Sequence, residues 1–163
     1  MVVTPDLSGS AATNRTPVVQ ASDLDDLVAR TVRCGGEIAV GDVSAESDRP
    51  LLRLYVPQPA APPATPAGGR SPLLARQERE RYAADSAAYR RSDSLRTSAG
   101  ERDARIFRQQ AATLLARPRD AARSDVNGAI ARMALFLAEP DHAAGSSAWT
   151  PPPRRIAALI SDA

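Results

Sequence analysis

Lysine is missing altogether: all 21 basic residues of the 163-residue chain are Arg. A Walker-type phosphate loop, whose Lys reaches the terminal phosphates, is therefore excluded. No GxGxxG run occurs either, and the glycine pairs at 35–36 and 68–69 stand alone. Cysteine is limited to Cys34, which excludes an intrachain disulfide and a cysteine-based zinc site and points to a reducing compartment. Histidine is limited to His142, in a loop rich in Pro, Gly and Ser. A Ser-His-Asp or Cys-His centre would have to use it, yet neither Cys34 nor any serine sits in a nucleophile motif. One His and one Cys leave only carboxylates as metal ligands, and no Asp-rich loop has calcium-binding spacing. The expectation is a protein that is not an enzyme and uses no cofactor or metal.

Long apolar runs are missing too. No stretch approaches the roughly 20 residues needed to span a bilayer, and the opening MVVTPDLSGS has neither a basic n-region nor an apolar h-region. A soluble, intracellular protein is expected, cytoplasmic or within a viral or phage assembly. Large apolar side chains are scarce: 32 residues are Ala, against 31 for Val, Ile, Leu and Phe together. That composition borders on the disordered range, while the net charge of +2 opposes wholesale disorder.

What is present is unevenly distributed. Residues 1–69 carry 5 Arg against 8 acids, net −3, and residues 70–163 carry 16 Arg against 11 acids, net +5. Arg-only usage with abundant Ala and Pro reads first as the codon bias of a GC-rich genome. Its physical consequence is that every cation is a planar guanidinium suited to carboxylate, phosphate or aromatic partners.

Residues 1–21, rich in Thr, Ser, Pro and Ala, read as a flexible tail. Ser22 then offers an N-cap, Asp23, Asp25 and Asp26 suit the positive end of a helix dipole, and Gly35-Gly36 supplies a stop. Between them Leu24, Leu27, Val28, Thr31 and Val32 form a helical stripe. The dipole accounts for the three Asp without invoking a catalytic or metal cluster, and Cys34, at the helix end, reads as a small buried or half-buried residue. Residues 37–40 and 51–56 have strand composition. In the second, Leu52, Leu54 and Val56 share one face, which can cover the helix stripe. The module 22–56 is thus a helix plus a β-hairpin.

The run PQPAAPPATPAGG, residues 57–69, reads as an extended linker, and its two PxxP matches as chance in a Pro/Ala segment. From residue 71 to 163 an Arg-rich helical region is expected. Ser71-Pro72 opens a helix to about Arg96, and the capping-box spacing of Ser98 to Glu101 starts a second through Ile106, Phe107, Gln110, Ala111, Leu114 and Leu115. A third starts near Ser124 or Arg119 and ends near Ala138, with Val126, Ile130, Met133 and Leu137 as its stripe, although Gly128 weakens it. The last ten residues suggest a short helix through Ile156, Leu159 and Ile160. The fold class is α+β, mainly helical: a helix and hairpin, a linker, then a helical hairpin or small bundle.

The span from Arg76 to Arg108 holds nine Arg with Tyr82, Tyr89 and Phe107 interleaved, the mixture used for phosphate contact and base stacking. Six acids share that span, and Arg76 with Glu80, Arg81 with Asp85 and Glu101 with Arg105 are spaced for i, i+4 pairing along a solvated face. Function is therefore read as non-catalytic: an interaction or structural accessory protein that packs into an assembly or oligomer, with a protein partner or self-association. Leu114, Leu115, Val126, Ile130, Met133 and Leu137 would be its packing residues and Arg79, Arg90 and Arg91 its rim. The alternative is a nucleic-acid-binding accessory protein holding phosphates with Arg90, Arg91, Arg105 and Arg108.

Overall fold

In a computed structural model the described residues are 1–5, 19–43, 50–66, 71–116, 125–139 and 157–160. Strand β1 (Val2–Pro5) leads through a 3-10 turn (Ala21–Leu24) into helix α1 (Asp25–Cys34). Strands β2 (Gly36–Val40) and β3 (Leu52–Val56), the long helix α2 (Pro72–Leu115), helix α3 (Val126–Ala138) and strand β4 (Ala157–Ile160) follow. The chain is α+β and mainly helical, with the expected antiparallel hairpin of β2 and β3.

The hairpin is half of a larger sheet. Its order is β3-β2-β1-β4, with β1 parallel to both β2 and β4. The stretch expected as a flexible tail thus supplies a strand at Val2–Pro5, and the expected C-terminal helix is a strand at Ala157–Ile160. In both places a short run of four residues suits either state, and a parallel partner far away in sequence decides it.

Alternation along β2 and β3 separates two cores. Ile38, Val40, Leu54 and Val56 point to one face, where they pack with Leu24, Val28 and Val32 beneath Ala104, Phe107, Ala111 and Leu115 of α2. Ala39 points to the other, against Met133 and Phe136 of α3. The sheet therefore stands between α2 and α3. The composition break at residues 57–70 does not divide this packing, since α2 shares one buried cluster with α1 and the hairpin.

Entry and exit of α1 follow local chemistry. Gln20, rather than Ser22, precedes the first turn, its N–H donating to the Asp23 carboxylate at 2.8 Å. Gly35 stops the helix at φ 75°, where a Cβ would lie 2.5 Å from the Gln58 backbone. Thr31, buried, satisfies its hydroxyl on the Leu27 carbonyl at 2.9 Å. Cys34 is exposed, two residues past Val32 and so turned away from the packed stripe.

Instead of breaking at Ser98, α2 runs unbroken for 44 residues, about 66 Å at 1.5 Å per residue. Gly100, in the expected capping box, serves close approach: a Cβ there would meet Val56 at 3.1 Å. All buried residues of α2 lie at or beyond Gly100, so its first half extends past the core as an arm.

Residues 57–66 hold neither helix nor strand, as the prolines require. Arg96 donates to the Pro57 carbonyl at 3.3 Å, whereas the helix begins at Pro72. The proline segment therefore sets off alongside the arm, Pro57, Gln58 and Ala60 lining one cleft with Tyr89, Ser92 and Arg96. Partial burial of Pro63 and Pro66, and of Ala75, Tyr82, Ser86 and Tyr89 on one helical stripe, fits that course.

Candidate functional site

A group of polar side chains lines a cleft of about 560 Å³ between α1 and α2. Ala29, Val32 and Arg33 come from the last two turns of α1, and Arg96, Glu101, Ala104, Arg105 and Arg108 from one face of α2. Spacing of three, four and seven residues puts these α2 side chains in register with the groove.

The four guanidiniums are differently engaged. Arg96, only 12% exposed at its side chain, binds Asp93 at 2.9 Å and donates to the Val32 and Arg33 carbonyls at 3.0 and 3.3 Å. These are orphan carbonyls at the C-terminal end of α1, so Arg96 caps that helix and, through Pro57, anchors the proline segment. Arg108 reaches Asp25 in the first turn of α1 at 2.8 Å. Arg33 and Arg105 have no ion pair among the described residues. The expected pairs of Arg76 with Glu80 at 2.9 Å and Arg81 with Asp85 at 3.8 Å are formed. Glu101 with Arg105 is not, although both line the cleft.

The expected phosphate contacts thus separate. Arg105 and Arg108 share the cleft, while Arg90 and Arg91 stand exposed on the arm. Arg33 and Arg96 were missed, and no spacing rule could have joined Arg33 to a helix some sixty residues later. Asp25 and Asp26 do occupy the first turn of α1. Among the described residues no three His, Cys, Asp or Glu side chains converge as metal ligands. His142 lies outside the described residues.

The expected packing residues also divide. Leu115 and Met133 are buried within the chain and Leu114 packs half-buried against the main core. Val126, Ile130 and Leu137 face outward, Ile130 at 50% exposure. The buried stripe of α3 is Ala129, Met133 and Phe136, rotated from the expected one by about a residue, because this helix is apolar nearly all round and periodicity could not choose a face. Its N-cap is Asp125, whose carboxylate accepts from the Gly128 N–H at 2.8 Å, so the glycine sits in the first turn where its cost is lowest.

Below α3, Arg53 lies 5.2 Å from the Phe136 ring centroid, binds Glu139 and approaches Glu37 at 3.6 Å. The Glu139 hydrogen bond, opposed by burial and aided by the charges of Glu139 and Glu37, raises its pKa, so it is charged throughout the working range. A second cleft, about 340 Å³, lies across Asp93 and Arg96 from the first and is lined by Tyr55, Pro57 and Tyr89.

No helix among the described residues is long and apolar enough to cross a membrane. No family model matches the chain, and no curated protein or solved structure does.

Proposed function

We propose that this protein is a non-catalytic interaction or accessory protein that packs into a larger assembly or oligomer. The observation that carries this reading is the arm of α2. It precedes the first buried position of the helix, Gly100, with Leu73 79% exposed, Leu74 55% and Leu95 68%. The arm buries no residue fully, so tertiary packing holds it far less than the rest of the helix, and its two i, i+4 ion pairs add only about 0.3–0.5 kcal/mol each. The outward Val126, Ile130 and Leu137 of α3 add a second apolar surface.

Sedimentation of the full chain at micromolar concentration, with a hydrophobic-dye assay, tests this. Concentration-dependent mass, or dye binding abolished by combined Leu73→Ser, Leu74→Ser and Leu95→Ser, supports the reading. A cooperatively folding monomer that binds no dye overturns it.

The second reading, nucleic-acid binding, draws support from Arg105 and Arg108 sharing one cleft with Arg33 and Arg96. It requires log K to fall linearly with log salt; no retardation of DNA or RNA at low salt sinks it.

A further inference from the structure

We infer that the cleft between α1 and α2 is a binding site for a phosphate-bearing organic ligand, its phosphate held between Arg33 and Arg105. The site would stand whether or not the chain assembles, and it narrows the nucleic-acid reading to one place.

Four guanidiniums line this cleft, but two are consumed by the fold. Arg96 is committed to Asp93 and the end of α1, and Arg108 to Asp25. Their charges are already matched. Arg33 and Arg105 come from different helices, line the same space and have no ion pair among the described residues. A guanidinium presents a planar fork of donors that matches phosphate oxygens, and two of them match a dianion better than a single carboxylate.

Volume and lining specify the rest of the ligand. About 560 Å³ falls within the range of small-molecule sites and exceeds the needs of a bare phosphate. Ala29, Val32 and Ala104 give an apolar wall on which a planar or aliphatic body can rest. Glu101 lies among them with no ion pair among the described residues. Ionised, it only accepts hydrogen bonds, which disfavours a second anionic group and suits the hydroxyls of a sugar. The chemical class is a sugar phosphate or mononucleotide unit, free or within a single strand.

The test uses the full chain and four probes: AMP, adenosine, inorganic phosphate and a short single-stranded oligonucleotide, followed by calorimetry and fluorescence anisotropy. AMP should bind, adenosine should not, and inorganic phosphate should compete. Combined Arg33→Gln and Arg105→Gln should weaken AMP by about tenfold or more, with circular dichroism unchanged because both side chains are exposed. Arg90→Gln with Arg91→Gln should leave AMP binding as it is. Oligonucleotide binding lost in the cleft variant would identify a strand as the phosphate source, and AMP binding without oligonucleotide binding would retain the site while sinking the nucleic-acid reading. Absence of AMP and phosphate binding at millimolar concentration overturns the proposal. So does AMP or oligonucleotide binding that survives the cleft substitutions.

Discussion

The two halves of α2 share one helix, one Arg-rich composition and similar local propensity, yet they are held by different forces. Beyond Gly100 the helix is fixed by burial, with Ala104, Phe107, Ala111 and Leu115 closing the main core. Before it, the arm is braced by a proline segment on one face and open on the other. Helix propensity alone therefore does not decide where a helix is stable; what lies beside it does.

Substitutions should expose that contrast, beginning with the core half. Phe107→Ala should cost about 3–5 kcal/mol in urea unfolding, whereas Leu95→Ala, 68% exposed on the arm, should fall within about 0.5 kcal/mol. Equal effects would mean the arm is packed as tightly as the core. Gly100→Val should cost about 1–3 kcal/mol by overpacking against Val56, and Val56→Ala in the same chain should recover part of it. If the double substitution is strictly additive, the two backbones do not approach there.

Arg96 stands at the junction of the halves. Arg96→Ala should cost about 1–3 kcal/mol by leaving carbonyls of α1 unsatisfied. Arg96→Lys should recover little, since one ammonium cannot span Asp93, α1 and Pro57 together. A full rescue by Lys would reduce its role to charge. Combined Tyr82→Ala and Tyr89→Ala should scarcely shift the global transition but should speed amide exchange of residues 75–92, measured by hydrogen exchange. Smallest of all, Glu80→Gln should change stability by no more than about 0.5 kcal/mol, less at high salt.

Legibility from sequence followed the range of the interactions. The stripe of α1, its glycine stop and the alternation of β3 were readable because each is encoded within a few residues. Leu24, Val28 and Val32 do meet Leu54 and Val56. The capping-box spacing of Ser98 to Glu101 was misread as a helix start, and only the proximity of Val56 reveals why position 100 has so little room for a side chain. Strands β1 and β4 were lost because each is four residues long and pairs only with strands distant in sequence. In the cleft, Arg105 and Arg108 could be picked out by density of charge. Arg33 required knowing that α1 ends beside α2, and Arg96 looked like one more solvated cation.

Pairing of β1 with β4 has a consequence for how the chain comes into being. Val2 lies opposite Ala157, so the first strand leaves the ribosome long before the strand that covers its outer edge has been synthesised. Through that interval β1 can join β2 but still offers an open row of backbone donors and acceptors, the kind of edge that recruits other chains. Closure must then be reached by a contact spanning nearly the whole sequence, which is the slow kind.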